Sequence, residues 1–222
     1  MRPTCFRCLR PASFCVCAGV PPARARSRLV LLQHPREAGL AICTARLTHV
    51  LVEGSELHRG VRFDGHARVR ALAAVPGAAL LYPGEGARAA AALADAPPPV
   101  LFAVDATWFH AERMLRDNPF LAALPRVAVR SSQASAYGDL RREPGAVHLS
   151  TLEAVALALG ALERDPGRFE PMREALRRSV ALQLACARGP RHNPRHRGGA
   201  AERGLGGAGP PAPAGAAAAP EG

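Results

Sequence analysis

Four cysteines lie within 13 positions near the N-terminus and offer the most specific chemistry in the sequence. They follow the pattern C-x2-C-x6-C-x-C, and the residues are Cys5, Cys8, Cys15 and Cys17. In a reducing compartment clustered thiols favour metal ligation over disulfides, and four thiolates suit tetrahedral zinc. A redox cluster and unligated thiols are the alternatives, because the closing C-x-C is tighter than the usual finger spacing. We predict a zinc site.

A second chemical centre is predicted at Asp105, which ends an apolar run. Residues 100–104 have the pattern of a strand buried on both faces. Thr107 can cap a helix over residues 108–117, which Asn118-Pro119 ends. Ligands of open α/β sheets bind at the carboxyl ends of the strands, so the carboxylate is a candidate catalytic group. The alternative is that Asp105 only begins a turn.

Arginine dominates the charged residues. The formal net charge is +11, and all 29 basic residues are arginine. Residues 189–222 hold four Arg and two Glu, so they carry +2 of this charge and residues 1–188 carry +9. Arginine grips phosphates bidentately, and a polyanionic partner is therefore expected, although some N-terminal arginines can instead balance the negative zinc–thiolate centre. The candidates for RNA contact are Arg24, Arg26, Arg28, Arg113, Arg141 and Arg142.

A set of strands and helices must position these groups. The sequence predicts strands at residues 29–32, 78–81, 100–104 and 127–130, and helices at residues 41–52, 87–94, 108–117 and 169–187. Ser150 and Glu153 fit a capping box that opens a further helix. Two glycines in the 82–86 turn allow the backbone to approach a ligand closely. Residues 53–75 are too weakly patterned to place, and His34, a lone loop histidine, is more typical of a structural role.

Composition predicts one sizeable core with a small appended module. We expect a four-cysteine zinc-binding module at residues 1–28, an α/β catalytic domain at residues 29–188 and a disordered tail at residues 189–222. No apolar run approaches the ~20 residues that cross a bilayer, and the N-terminus lacks a signal-peptide core. A cytoplasmic protein without membrane contact is expected. Cys43 and Cys186 stand alone and are expected to pack as small apolar residues.

Motifs along the chain resemble, in their order, those of the DTW-domain family, the tRNA-uridine aminocarboxypropyltransferases. The central one is Asp105-Ala106-Thr107-Trp108, where the family often has Gly at the second position. The others are Cys5-x2-Cys8 with Arg10-Pro11 and Cys15-x-Cys17, Leu32-Gln33-His34-Pro35, Leu81-Tyr82-Pro83-Gly84-Glu85, Asn118-Pro119, Leu124-Pro125-Arg126, Ser135-x-Tyr137, Leu140-Arg141-Arg142 and Leu149-Ser150-Thr151-Leu152-Glu153-Ala154. The resemblance covers roughly residues 5–165.

This resemblance implies a SPOUT-like knotted α/β fold with a mostly parallel sheet, and S-adenosylmethionine as co-substrate. The family transfers the 3-amino-3-carboxypropyl group to N3 of a uridine in tRNA and releases methylthioadenosine. By analogy, three segments would surround the cofactor: Tyr82, Pro83, Gly84 and Glu85; Leu124, Pro125 and Arg126; and Ser150, Thr151 and Leu152.

The chemistry suggests roles for the central motif. Uridine N3 carries a proton at neutral pH, so a base is needed; Asp105, oriented by Thr107, is the candidate. Trp108 either stacks on a base or fills the core, and Arg126 or Arg113 holds the cofactor's carboxylate. The alternatives are an S-adenosylmethionine-dependent RNA methyltransferase, an aminocarboxypropyltransferase acting on ribosomal RNA, and a zinc-containing RNA-binding protein without catalysis. The oligomeric state stays open.

Overall fold

The computed structural model describes residues 3–131, residue 135 and residues 149–188. The predicted tail and two predicted RNA contacts, Arg141 and Arg142, lie outside these residues. Six strands form one sheet: β1 (Arg28–Gln33), β2 (Glu56–Arg59), β3 (Ala79–Leu81), β4 (Arg88–Ala89), β5 (Val100–Asp105) and β6 (Arg126–Ala128). The α-helices are α1 (Thr44–Leu51), α2 (Ala67–Ala73), α3 (Trp108–Asp117), α4 (Pro119–Ala122), α5 (Thr151–Glu163) and α6 (Pro166–Arg188). Short 3-10 helices span Ala12–Phe14, Glu37–Gly39 and Ala90–Leu93.

Every strand pair in the sheet is parallel. The strand order is β2-β1-β5-β3-β6-β4, so β5 lies between β1 and β3. β1 and β5 pair from Arg28 opposite Val100 to Gln33 opposite Asp105, and their carboxyl ends therefore meet at one edge. The predicted α/β fold with a mostly parallel sheet is confirmed. The predicted SPOUT-like knot is not tested by the described residues, and it stays a prediction.

Helices cover both faces of the sheet, as β5 illustrates. Successive side chains of a strand point to opposite faces. Leu101 and Ala103 accordingly join the apolar cluster that contains α5 and α6, whereas Val100 and Phe102 join the cluster that contains α2, α3 and α4. Burial of a large apolar side chain such as Phe102 stabilises the fold by about 1.5–3 kcal/mol. The predicted two-sided burial of this strand is confirmed.

The N-terminal cysteine region packs against the body of the protein. Cys8, Val16, Cys17 and Val20 share one apolar cluster with α5 and α6. The backbone also joins α1, since Ala23 N–H donates to Leu51 O at 2.9 Å. The predicted 1–28 module therefore shares a core with the predicted catalytic domain.

The helix predicted at residues 108–117 is confirmed as α3. Thr107 caps it, since its side-chain oxygen accepts from the backbone N–H of His110 at 3.3 Å. The fully buried Asn118 ends this helix, and its side chain binds the loop between β2 and α2. Its Oδ1 accepts from Phe63 N at 2.6 Å, and its Nδ2 donates to Val61 O at 2.8 Å and to Met114 O at 2.7 Å. These three hydrogen bonds hold the end of α3 against the loop between β2 and α2.

The predicted capping box is present at the start of α5. Ser150 Oγ accepts from Glu153 N, and Glu153 Oε2 accepts from Ser150 N at 2.9 Å. The apolar stripe predicted on this helix is fully buried: Leu152, Val155, Ala156, Leu159 and Leu162. None of the helices in the described part of the chain is both long and apolar enough to cross a membrane.

The prediction of a helix at residues 87–94 is wrong. The segment instead forms β4, which pairs with β6, followed by the 3-10 helix Ala90–Leu93. Alanine favours a helix locally, but the open edge of β6 offers Arg88 and Ala89 backbone partners, and tertiary context overrides such a weak preference. The unplaced residues 53–75 contain β2 and α2.

Candidate active site and metal centre

Asp105 lies at the carboxyl end of β5 with its side chain buried and fully engaged. The residue is 4% exposed. Its Oδ2 accepts from Gln33 Nε2 at 2.8 Å, and its Oδ1 accepts from Thr44 Oγ1 at 3.1 Å and from Thr151 Oγ1 at 2.7 Å. These donors come from β1, α1 and α5. The carboxylate therefore joins the ends of four elements at the edge of the sheet.

Thr107 does not orient Asp105 in the described structure. Thr44 and Thr151 fill that role, whereas the hydroxyl of Thr107 lies 2.8 Å from Nδ1 of His110 and caps α3. The predicted orienting role of Thr107 is therefore corrected. Thr107 already begins the helix, and its hydroxyl is directed along α3 for this reason.

Sequence reasoning missed two donors at this centre, Thr44 and the more deeply buried Gln33. Gln33 is 1% exposed, and its Nε2 also lies 3.1 Å from Cys43 Sγ, while its Oε1 has no hydrogen-bond partner among the described residues. Burial raises the pKa of the half-buried Cys43 thiol, which stays protonated. The expectation that Cys186 packs as a small apolar residue is wrong, because Cys186 is exposed on α6. The signal for Gln33 is its register opposite Asp105, which only the pairing of β1 with β5 reveals.

The 82–86 turn meets Trp108 and Arg126 on the β3 side of Asp105. The Tyr82 and Trp108 rings are tilted at 55° with centroids 5.7 Å apart. The guanidinium of Arg126 lies 5.6 Å from the Tyr82 ring centroid, and its Nη1 donates to Pro83 O at 3.2 Å. Burial, together with the charge of Glu112, raises the pKa of Tyr82, so its hydroxyl is neutral at physiological pH. Two aromatic faces and one arginine thus converge at this turn.

Glycine is required at position 84 of this turn. Gly84 has φ +146°, and a Cβ there would overlap Nη1 of Arg126. Gly86 has φ +71°, and a Cβ at this position would meet no heavy atom of the described residues within 4 Å. The absence of a side chain at Gly84 therefore lets Arg126 reach the backbone of the turn.

The three predicted cofactor segments are brought together only in part. Leu124 packs in the apolar cluster that contains α2, α3 and α4, and Pro125 O accepts from Leu80 N at 2.9 Å. Both residues precede β6 and therefore lie toward the amino ends of the strands, away from Asp105. Among that segment, Arg126 alone reaches the 82–86 turn. Ser150 caps α5 and Leu152 is fully buried, whereas Thr151 contacts Asp105.

A pair of histidines lies on the β1 side of Asp105. His34 N–H donates to Asp105 O at 2.9 Å, and the His34 ring stacks on His110 with centroids 4.3 Å apart. Arg36 Nη1 lies 3.4 Å from His110 Nε2. Burial first, and then the charges of His110, Arg36 and Arg113, lower the pKa of His34. His34 is therefore neutral at physiological pH, and it is not the isolated loop histidine that the sequence suggested.

The predicted RNA contacts near the N-terminus are ion-paired. Arg24 lies 3.3 Å from Glu53, and Arg28 lies 3.4 Å from Glu56. Arg26 pairs with Glu163 at 3.3 Å and donates to Leu162 O and Ala94 O, so it holds the end of α5. Arg113 forms an exposed pair with Asp117 at 3.7 Å.

The four clustered cysteines are arranged as a tetrahedral metal site requires. Sγ–Sγ distances are 3.7 Å for Cys5–Cys17, 3.8 Å for Cys8–Cys15 and 3.5 Å for Cys15–Cys17, and all four sulfurs lie within 4.8 Å of one another. A tetrahedral zinc ion with Zn–S bonds of about 2.3 Å separates its sulfurs by about 3.8 Å. Disulfides need about 2.05 Å, so the geometry fits a metal and not a pair of disulfides.

The surroundings of these thiols also fit a metal. Backbone N–H groups, of Cys8 first and then of Arg7, lower the pKa of Cys5 to about 6, whereas burial raises the pKa of Cys8 and of Cys17. Leu9, next to Cys8, has φ +59°, a conformation that costs a non-glycine residue about 1–2 kcal/mol. A bound cation stabilises buried thiolates and a tight ligand turn together.

Comparison with known proteins agrees with the motifs. Residues 2–184 match the model of the DTW domain family. A tRNA-uridine aminocarboxypropyltransferase 2 from Mus musculus is 31% identical over 193 residues, which cover 82% of this chain and 64% of the relative. The Drosophila melanogaster protein of the same name is 32% identical over 176 residues, 74% of this chain and 68% of that protein.

A further relative with this name, from Macaca fascicularis, is 29% identical over 192 residues, 82% of this chain and 64% of its own length. The chain thus spans slightly less than two thirds of the macaque and mouse relatives. No solved structure matches it. Because the family match extends over most of the sequence and over every element that builds the Asp105 centre, the chain belongs to the DTW domain family.

Proposed function

We propose that this protein transfers the 3-amino-3-carboxypropyl group of S-adenosylmethionine to N3 of a uridine in tRNA. The observation that carries the proposal is the place of the Asp105–Trp108 motif, at the carboxyl edge of a parallel sheet, beside a turn with converging aromatic and arginine side chains. Open α/β sheets bind their ligands at this edge. The names of the relatives support the same reaction.

The 82–86 turn is the proposed cofactor site. Tyr82 and Trp108 offer faces for an adenine ring, and Arg126 offers a guanidinium for the carboxylate of the methionine part. Arg126 is preferred to Arg113 for this role, because Arg113 lies on the opposite side of α3 and pairs with Asp117. Pro83, Gly84 and Glu85 contribute backbone, which glycine allows to approach closely.

The reaction is a displacement in which positioning supplies most of the catalysis. The nitrogen N3 forms a bond to Cγ of the methionine part, while the Cγ–sulfur bond breaks and its electron pair stays on sulfur. Methylthioadenosine leaves as a neutral thioether, and the N3 proton passes to a base or to water. A site that presents Cγ instead of the methyl carbon to N3 therefore selects this product.

Asp105 is proposed to position the site. Three hydrogen bonds already occupy its buried carboxylate, and one of the donors, Thr151, opens α5 in a predicted cofactor segment. A carboxylate held in this way fixes strand and helix ends in relation to one another. The alternative, that Asp105 accepts the N3 proton, stays a prediction that substitution can separate from positioning.

Zinc is the proposed ligand of Cys5, Cys8, Cys15 and Cys17. Four sulfur donors at tetrahedral spacing are typical of closed structural zinc sites, which have no open coordination position for a substrate. The ion would hold the N-terminal region against α6. A tRNA partner is supported by the arginine-rich composition, and the cytoplasmic location stays a prediction.

Product analysis tests the reaction. Incubation of the purified protein with S-adenosylmethionine and an unmodified tRNA transcript is expected to yield methylthioadenosine and a uridine that carries the aminocarboxypropyl group. Mass spectrometry of the small-molecule products and of the digested nucleosides measures both. S-adenosylhomocysteine with a methylated nucleoside would instead identify an RNA methyltransferase, and tRNA binding without either product would identify a non-catalytic RNA-binding protein.

Replacement of Gly84 tests the cofactor site. In Gly84→Ala the new methyl group displaces Arg126, so we expect S-adenosylmethionine affinity to fall by about 10- to 150-fold, the range of one charge-assisted hydrogen bond. Arg126→Gln is the matched control, because it removes the guanidinium and adds no side chain at Gly84, where φ is +146°. Titration calorimetry measures both affinities. Wild-type affinity in Arg126→Gln, together with a loss in Gly84→Ala, would show that backbone strain, and not Arg126, governs the affinity.

A further inference from the structure

The strand order divides the carboxyl edge of the sheet into two halves at β5. On one side, β3 and β6 carry the 82–86 turn and Arg126. On the other side, β1 and β2 end at Gln33 and Arg59, and the loop with His34 and Arg36 follows β1. A bisubstrate reaction at Asp105 requires that both substrates reach this edge of the sheet. The cofactor site proposed above occupies the first half and leaves the second half to the RNA.

Helix α3 separates the same two halves by its own geometry. Trp108 contacts Tyr82, and the charge of Glu112 acts on Tyr82, so positions 108 and 112 face the cofactor half. The charge of Arg113 acts instead on His34, and the His110 ring stacks on the His34 ring. The face of α3 that carries Phe109, His110 and Arg113 therefore belongs to the β1 half.

Five residues lie together there, and we call them the histidine–arginine patch: the buried His34 and, nearer the surface, Arg36, Phe109, His110 and Arg113. The rings of Phe109 and His110 meet edge to face with centroids 5.5 Å apart, His110 stacks on His34, and Arg36 reaches His110. Phe109 is 66% exposed, which is unusual for a phenylalanine. The patch adjoins the centre, because His34 N–H bonds to Asp105 O.

Hydrogen bonds fix the orientation of both imidazole rings. His34 Nδ1 accepts from Arg36 N at 3.2 Å, which places the ring proton of this neutral histidine on Nε2. His110 Nε2 lies 3.4 Å from Arg36 Nη1, and His110 Nδ1 lies 2.8 Å from the hydroxyl of Thr107. The two guanidinium groups carry positive charge, and the rings supply apolar faces.

We propose that the histidine–arginine patch binds the single-stranded RNA segment that carries the target uridine. Arg36 and Arg113 contact phosphates, and Phe109 stacks on an unpaired base next to the uridine. Exposed aromatic faces combined with arginines are what single-stranded RNA requires, since every base has a π-face and every nucleotide has a phosphate. This inference rests on the proposed function and adds the surface that presents the RNA to Asp105.

Three of the arginines predicted from sequence are less well placed for this role than Arg113, which was predicted as well. Arg24, Arg26 and Arg28 precede or begin β1, at the opposite edge of the sheet from Asp105. Five strand residues at about 3.3 Å each separate the two edges by roughly 16 Å.

Salt-dependent binding of an unmodified tRNA transcript, measured without S-adenosylmethionine, tests the patch. Each phosphate contact contributes about 0.7–0.9 to the slope of log K against log salt. The double variant Arg36→Gln, Arg113→Gln is expected to lower this slope by about 1.4–1.8. Phe109→Ala is expected to weaken binding by about 5- to 150-fold with the slope unchanged, because stacking on one base involves no counterion.

The matched control is Arg24→Gln, Arg28→Gln, which removes the same charge from the other edge and is expected to keep the slope. All the substituted side chains are exposed, and equal melting temperatures verify that the variants fold. An unchanged slope in the patch variant, or an equal fall in the control, would overturn the proposal. If the wild-type protein transfers the aminocarboxypropyl group but the patch variant keeps the wild-type salt slope, the RNA-binding patch is rejected and the proposed reaction is retained. A lowered slope in a protein that forms no methylthioadenosine supports the patch and rejects the proposed reaction.

Discussion

Removal of the metal is expected to unfold the N-terminal region and to lower the stability of the whole protein. Structural zinc contributes about 10–16 kcal/mol to the folding of isolated zinc-finger peptides, a value comparable with the ~5–15 kcal/mol stability of an entire domain. Cys8, Val16, Cys17 and Val20 belong to the apolar cluster of α5 and α6, so their loss exposes the inner side of α6 as well. The effect should therefore extend beyond the cysteine region.

The double variant Cys8→Ser, Cys15→Ser measures this effect. We expect one zinc ion per wild-type chain by elemental analysis, none in the variant, a lower melting temperature, and rapid proteolysis before residue 28. Cys186→Ser is the matched control, because Cys186 is exposed on α6 and lies outside the cluster. Wild-type protein purified under reducing conditions without chelator and found free of metal would refute the zinc assignment.

Asp105→Asn is expected to lower stability by about 1.5–3 kcal/mol and to weaken cofactor binding. This loss of stability is the typical contribution of a hydrogen bond to a charged acceptor, which the neutral amide no longer provides. If the single amide oxygen keeps the hydroxyls of Thr44 and Thr151, the new NH2 group faces the NH2 group of Gln33. Rotation of the Gln33 amide would offer its unpartnered Oε1, but it would move Nε2 away from Cys43. Compensation is therefore incomplete.

The measurements are melting temperature, S-adenosylmethionine affinity by calorimetry, and the single-turnover rate with tRNA. For a domain of this size, a loss of about 1.5–3 kcal/mol corresponds to a fall in melting temperature of roughly 3–12 °C. If Asp105 is also the base, the rate at saturating S-adenosylmethionine falls a further ~10²- to 10⁴-fold, because the amide cannot accept the proton. Raised pH would then partly restore the rate, since N3 ionises in solution.

Thr151→Val separates the two roles further, because it removes one donor and keeps the carboxylate. A positioning role predicts that this variant reproduces part of the Asp105→Asn defect, with the loss mainly in KM for S-adenosylmethionine and little in kcat at saturation. A base role predicts that Thr151→Val keeps most of its rate, since the proton acceptor is intact. Thr48→Val is the matched control, because the Thr48 hydroxyl donates to the backbone of Thr44 within α1.

The sequence by itself determined the features that depend on neighbouring residues. The four cysteines lie so close along the chain that their spacing predicts their convergence, and their sulfur geometry fits that prediction. The apolar run of β5, the cap of α3 and the capping box of α5 are likewise local, since each depends on side chains within three or four positions. The class of fold followed from these elements.

Only the tertiary structure decided which residues meet. The donors to Asp105 lie 72, 61 and 46 positions away in the chain, and no local pattern marks Gln33, Thr44 or Thr151 as partners. The prediction that Thr107 orients Asp105 was wrong for this reason, because proximity in sequence suggested a contact that the start of α3 prevents. The pairing of β1 with β5 brings Gln33 to the carboxylate instead.

The same limit applies to the charged surface. Composition predicted a polyanionic partner, but all 29 arginines contribute equally to a net charge, wherever they lie. The parallel sheet decides their roles, because it sends Arg28 to the amino edge and Arg36 to the carboxyl edge although only eight positions separate them. Strand direction and hydrogen-bond register, which are fixed by contacts between distant segments, therefore determine which arginines lie beside Asp105.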